Sequence, residues 1–198
     1  MVERTAAMWR ELGVIIQLQI ELDRLKDGDA SRYRVELIRH VEGLHVSPDG
    51  AVARVGEGYV LDVHHAAHPA TRSNATNHLS IGFTGHYDAM RERFGEHIAL
   101  GAAGESLIVE RPGRTQLADL GEELLIELPG EPPLRIERPA VMRPCAPFSR
   151  FCLDEGEPPP ERLKATLQFL DGGIRGFKGM PAGNGVVIAG ARLHARTA

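Results

Sequence analysis

The stretch at 105–141, ESLIVERPGRTQLADLGEELLIELPGEPPLRIERPAV, decides the fold. Three short apolar runs, ESLIVE, EELLIEL and LRIERPAV, are separated by a Pro-Gly turn at 112–113 and a second turn in PGEPP. Short strands set apart by turn signals at regular intervals are the mark of a barrel or a sandwich.

The flanks continue the pattern. In VIIQLQIEL (14–22), Ile16, Leu18, Ile20 and Leu22 fall on one face of a strand and Gln17, Gln19 and Glu21 on the other. KDGDASR (26–32) is a polar loop, and YRVELIRHVEGLHV resumes an extended run. SPDGAVARV gives a turn and a return strand, and GYVLDV (58–63) adds another strand. NHLSIGF (77–83) is extended and leads to Thr84, which reads as the N-cap of a helix. That helix, in GHYDAMRERFG, carries Tyr87, Met90 and Phe94 on one side and stops at Gly95.

A second helix is predicted at PERLKATLQFL (160–170), opened by proline, with Leu163, Leu167 and Leu170 on one face and Gly172 after it. GVVIAGARLHA closes the chain as a strand. EGEPPP (155–160) reads as a loop entering the helix rather than a linker, and no internal repeat is present. The expectation is one domain over 1–198, mainly β, with two or three short helices.

Composition narrows the function classes. With 198 residues, 42% hydrophobic and 25% charged, the chain can bury a core. Its net charge of −4 contains no block of like charges, so no nucleic-acid footprint is expected. Gln17, Gln19 and Glu21 interrupt the apolar start, which excludes a signal-peptide reading there, and no run has the length of a membrane span. Two cysteines make no disulfide framework, so a reducing, cytoplasmic compartment is expected.

Candidate chemistry gathers in three places. Cys145 lies in ERPAVMRPCAPFSRF (137–151), between Pro144 and Pro147. Two prolines remove amide donors and exclude a central strand, so a stiff loop is predicted. Thiol chemistry and metal ligation both need the thiolate, which nearby cations favour; Arg143 and Arg150 supply charge and Ser149 a hydrogen bond. Cys152 reads as packing.

LDVHHAAHPATRSNATNH (61–78) holds four histidines, among them His64, His65 and His68, together with Asp62 and Arg72. Its content predicts a loop, where Arg72 suits an anionic ligand. GGIRGFKGMPAGNG (172–185) has no Walker or dinucleotide pattern, although Arg175 and Lys178 on a glycine-rich loop suit a phosphate. G-x-S-x-G is absent, which removes support for serine hydrolysis.

In order and spacing these stretches resemble the MOSC domain, the C-terminal family of molybdenum-cofactor sulfurases, over about residues 35–193. The family's Asp-x-His is similar to Asp62-Val63-His64, and its Gly-Glu-Asn to Gly104-Glu105-Ser106. RTQLADLGEELLIE resembles the stretch leading into a family strand. The family's Pro-Cys matches Pro144-Cys145, and a later Arg-Gly matches Arg175-Gly176. Departures are Ala66 and Ala67 in place of glycines, Ser106 in place of asparagine, and Gly190-Ala191 in place of Gly-Asp.

The resemblance implies a single closed β-barrel and a cytoplasmic protein. It gives Cys145 one of two roles: carrying sulfur, or ligating the molybdenum of a molybdopterin cofactor, in which role the family reduces N-hydroxylated compounds. His64, Arg72, Glu105, Ser106, Arg143, Ser149 and Arg175 are then the cofactor-binding set. The implied partners are a small-molecule substrate and a sulfur-donor or electron-donor protein, with a homodimer left open. Pyridoxal phosphate, linked to the family through its desulfurases, needs a large domain of its own that 198 residues do not accommodate. Two rival readings stand beside this one: a non-catalytic barrel binding a small anion or a protein, and a metal hydrolase built on His64, His65 and His68.

Overall fold

A computed structural model describes residues 8–26, 32–71 and 79–197. In chain order its strands and helices begin with β1 (Trp9–Glu21), β2 (Ile38–Val41), β3 (Gly43–Ser47), β4 (Gly50–Val55), β5 (Gly58–Leu61) and β6 (Leu79–Phe83). Then come α1 (Thr84–Phe94), β7 (Leu107–Glu110), α2 (Leu117–Leu120), β8 (Glu123–Ile126), β9 (Leu134–Val141), α3 (Ala146–Leu153) and α4 (Pro160–Leu170). The chain ends with β10 (Phe177–Pro181), β11 (Gly185–Ile188) and β12 (Arg192–Arg196).

Seven strands close a ring in the order β12-β8-β9-β10-β6-β7-β1, because β1 pairs back onto β12. Strand β2 hangs on β1 outside the ring, and among the described residues only the β6–β7 pair is parallel. A closed ring leaves few sheet edges to protect. A second antiparallel sheet, β11-β3-β4-β5, packs Leu44, Val46, Ala51, Ala53 and Val187 against the barrel core. Inside the barrel are Ile15, Leu18, Ile81, Phe83, Leu107, Ile136, Phe177 and Leu193. A separate apolar cluster lies outside the wall under the helices, with Tyr33, Tyr87, Met90, Ile108, Phe148, Cys152 and Leu170.

β7 shows how one strand serves both layers. Leu107 and Val109 face the barrel, while Ile108 faces the helices. β1 does the same with a change of phase. Its register slips between Glu11 and Gly13 and between Ile15 and Gln17, so two bulges bend it around the ring. Gly13 makes the first bend possible: a Cβ there would stand 2.1 Å from the Glu110 carbonyl oxygen. The slip turns Ile15 inward and leaves Ile16 40% exposed, against the alternation predicted for 14–22.

Three further expectations are corrected, and one short helix is added. Thr84 is the first residue of α1 rather than its N-cap; its Oγ1 accepts from the Arg111 amide at 3.0 Å and donates to the Arg111 carbonyl at 3.1 Å. The segment after Cys145 is helix α3, not a stiff loop, because proline is tolerated in a first helical turn where its missing amide would have no partner. α2 adds a short turn with a capping box between Gln116 and Asp119. GVVIAGARLHA is two strands in different sheets, divided by a turn at Gly190 with φ 92°. Among the described residues no helix is long and apolar enough to cross a membrane.

Candidate functional site

Toward the end of β1, Gln19 and Glu21 are buried and Gln17 is half-buried. Gln17 Nε2 donates to Leu100 O at 3.3 Å and Gln19 Nε2 to Gly101 O at 2.8 Å. The Glu21 carboxyl lies against Gly104, where a Cβ would stand 2.4 Å from Oε1. Three polar residues at strand spacing thus pin the segment between α1 and β7 along the barrel wall. Gly104 has φ 84°, a left-handed conformation natural to glycine, so both its backbone and its missing side chain are required.

The turn after β5 holds Glu21 from the other side. Its amide donates to Asp62 Oδ2 at 2.8 Å, and its carbonyl accepts from Val63 N at 2.9 Å. Asp62, 2% exposed, uses Oδ1 to accept from the His64 amide at 2.8 Å and to pair with His64 Nδ1 at 3.0 Å. Burial pushes the Glu21 carboxyl up to about 8, opposed in part by the charges of His64 and Arg175. Burial pulls His64 down, but the hydrogen bond to Asp62 and the nearby carboxylates outweigh it and hold the imidazole at about 9.

Glu105 sits deeper. Tyr87 donates its hydroxyl hydrogen to Oε2 at 2.5 Å, while Oε1 fills a slot where Cβ atoms on Gly82 or Gly176 would stand 2.7 and 3.1 Å away. Burial pushes this carboxyl up to about 7 despite the tyrosine. Arg175, in the turn before β10 and buried, donates from Nη1 to Arg143 O at 3.5 Å and from Nη2 to Ala103 O at 3.4 Å. Its guanidinium lies over the Phe148 ring at 5.6 Å. Burial opposes its charge, and the surrounding Tyr33, Cys145, Glu105 and Glu21 outweigh that opposition.

Cys145 is the half-buried N-cap residue of α3. Ser149, one turn on, donates its amide to the Cys145 carbonyl at 3.0 Å. Cys152 is wholly buried, its thiol pushed up to about 12 by desolvation, as a packing residue should be. Tyr33 packs its ring on Phe148 and Phe151 of α3, at 5.1 and 5.6 Å between centroids. Its ionisation is pushed well up by burial, and Arg175, Glu21, Cys145 and Glu105 all act on it. Four buried atoms of this cluster make no hydrogen bond: Tyr33 Oη, Glu105 Oε1, Ser149 Oγ and Arg175 Nε.

The structure therefore brings Cys145, Glu105, Ser149, Arg175 and the Asp62–His64 turn into one region between the barrel wall and the helices. Ser106 is engaged elsewhere: its Oγ meets Ser80 Oγ at 3.2 Å and its amide donates to that hydroxyl at 2.9 Å, tying the start of β7 to β6. Arg143 is exposed and lies near Lys178, whose ammonium is pushed down by partial burial and then by the Arg143 charge. Arg72 lies outside the described residues. His65 and His68 accept local turn amides, from Ala67 and Ala70, both at 3.1 Å. Among the described residues no three His, Cys, Asp or Glu side chains group as metal ligands, so the three-histidine centre finds no geometry. The sequence reading missed Glu21, Tyr33 and Tyr87. For Glu21 the sequence holds no signal, since Gln-x-Gln-x-Glu on a strand has the pattern of a solvent face.

No family model and no curated protein matches this chain. Solved structures do match. The chain is similar to the YuaD protein from Bacillus subtilis, with TM-score 0.58 and 17% identity, over 96% of this chain and 100% of that one. It is similar to a hypothetical protein at TM-score 0.56 and 14% identity, over 95% and 70% of the two chains. With YiiM from Escherichia coli the TM-score is 0.51 at 16% identity, over 81% and 65%. YuaD and YiiM are MOSC-like in fold. The barrel shares the fold of these structures. At these identities the likeness reaches the fold and not the chemistry.

Proposed function

We propose that this MOSC-like barrel works through the Cys145 thiolate in a molybdenum-cofactor-related role, with the thiolate as a soft ligand to a molybdopterin-type cofactor. One observation carries the reading: Tyr33 Oη, Ser149 Oγ, Arg175 Nε and Glu105 Oε1 are buried around the head of α3 without partners. Leaving a buried polar group unpaired costs about 1–3 kcal/mol, so four in one region fit a site that a polar ligand completes.

Arg175 and the positive end of α3 would hold anionic oxygens, and Arg143 and Lys178 would face a phosphate from outside. The cofactor, when bound, supplies oxygen-atom and electron transfer of the kind that reduces N-hydroxylated bases or amines. Electrons then come from a partner protein. The chain's own residues position and exclude water: Asp62 fixes the His64 ring, Tyr87 orients Glu105, and Phe148 supports the Arg175 plane.

A second reading uses the same sulfur. The unpaired donors are fully enclosed, which suits a compact ligand, and Cys145 then carries a sulfur atom loaded by another molecule. The experiment is metal and pterin content of protein purified from a host that makes molybdenum cofactor, for wild type and Cys145→Ser. Stoichiometric molybdenum, lost in the variant, is the expected result. Molybdenum in neither protein overturns the ligation and leaves sulfur carriage.

A further inference from the structure

Three of the unpaired atoms are donors, and they differ in origin. Tyr33 precedes the Val35–Leu37 turn, Ser149 is on α3, and Arg175 is in the turn before β10. Their relative exposures are 6%, 0% and 8%, so bulk solvent does not reach them. Phe148 joins two of them, packing on the Tyr33 ring and lying under the Arg175 guanidinium. Ser149 lies one turn after Cys145, and its amide meets the Cys145 carbonyl at 3.0 Å. The dipole of the helix favours negative charge at its first turn.

A thiol beside three hard donors asks for a ligand with a soft end and an anionic-oxygen end. We infer that Tyr33, Ser149 and Arg175 form an oxyanion-binding trio beside Cys145, and that the ligand they take is a small sulfane-sulfur oxyanion, of which thiosulfate is the simplest. This rests on the sulfur-carrying use of Cys145 proposed above. The Cys145 thiolate attacks the outer sulfur of thiosulfate. A Cys145 Sγ–S bond forms, the S–S bond of thiosulfate breaks, and its electron pair leaves with sulfite. Cysteine thiolate plus thiosulfate dianion becomes cysteine persulfide anion plus sulfite dianion, with no added proton, oxidant or reductant. The trio holds the oxygens on which the leaving group's charge remains.

Carboxyl groups also face this region, and their charge states permit an anion. Near neutral pH Glu21 keeps its proton, Glu105 is close to half-protonated and His64 is charged, since these groups stand at about 8, 7 and 9. Asp62 is spoken for by His64 and by the Glu21 amide. Arg175 and His64 therefore offset Asp62 and the Cys145 thiolate, which leaves the cluster close to neutral. Glu105 Oε1 is the one unpaired acceptor of the four, and it would sit beside the anion only in its protonated form.

The test incubates reduced full-length protein with thiosulfate and follows two products: sulfite in solution, and a mass gain of one sulfur on the peptide containing Cys145. Wild type should show both in equal amounts, and Cys145→Ser neither. Tyr33→Phe and Ser149→Ala each keep the packing shape and remove one donor. Each should slow persulfide formation by about ten- to a hundred-fold, by raising the thiosulfate concentration needed or lowering the limiting rate. Alkylation of Cys145 by neutral iodoacetamide should change less than about three-fold in the same variants, separating lost anion binding from a damaged fold. Absence of persulfide in wild type overturns the inference, as does formation at wild-type rate in both variants. Molybdenum bound through Cys145 without any thiosulfate transfer also overturns it while the cofactor reading stands. Transfer without bound molybdenum supports it while cofactor ligation falls.

Discussion

Replacing Glu21 by glutamine should change how stability depends on pH, and by an amount the structure sets. Burial holds the Glu21 carboxyl at about 8 against an ordinary 4.5. Between those values the folded protein keeps a proton that the unfolded chain has lost. The unfolded state then binds fewer protons, so the contribution of Glu21 is whole below pH 4.5 and is lost as pH rises through 8. The greatest slope for one group is about 1.4 kcal/mol per pH unit, or about 4 kcal/mol between pH 5 and 8. Glu105 adds a slope of the same sign up to about 7, and His64 adds one from 6.5 to about 9. Glutamine has nearly the shape of the neutral acid and nothing to lose. Glu21→Gln should match wild type near pH 5 and exceed its stability at pH 8 by several kcal/mol. Urea unfolding at half-unit pH steps and constant ionic strength measures both curves. Parallel curves, with the same fall from pH 5 to 8, would refute the burial of a protonated Glu21.

Gly104→Ala should destabilise by about 3 kcal/mol or more, combining left-handed strain with displacement of Glu21 and Leu25. Its added Cβ would stand 2.4 and 2.6 Å from them, and thermal unfolding reads the loss. Asp62→Asn removes the charge that holds the His64 imidazole up. An NMR titration should find the His64 midpoint lowered from about 9 by roughly one pH unit or more. An unchanged midpoint would mean that other groups hold the ring.

The parts of the fold that were legible were those in which one local rule acted alone. LRIERPAV is β9 over Leu134–Val141, and PERLKATLQFL is α4 over Pro160–Leu170, to the residue. The errors came where two rules met. Pro147 excludes a central strand and so signals a loop, yet the first turn of a helix accepts it, and it lies in the first turn of α3. Strict alternation in VIIQLQIEL put Ile16 in the core, because a bulge changes phase without leaving a residue type to mark it. Closing the barrel required that bulge, and closure is a property of seven strands together.

The site divided along the same line. Cys145, Asp62, His64, Glu105 and Arg175 were legible because they stand in short motifs whose order resembles a family. Glu21 was not, because polar residues alternating along a strand read as a face turned to water. Here a second layer covers that face, and the loop before β7 takes the place of solvent. Two of the legible motifs then have a shared purpose that neither reveals alone. Asp62 grips the backbone of Glu21 from one side, and Gly104 clears space for its carboxyl from the other. A glycine in Gly-Glu-Ser and an aspartate in Asp-x-His, 42 residues apart, both answer to an acid at the end of the first strand. Single-residue changes at Asp62 and Gly104 should therefore converge on one phenotype, the loss of the pH-dependent stability that Glu21 supplies.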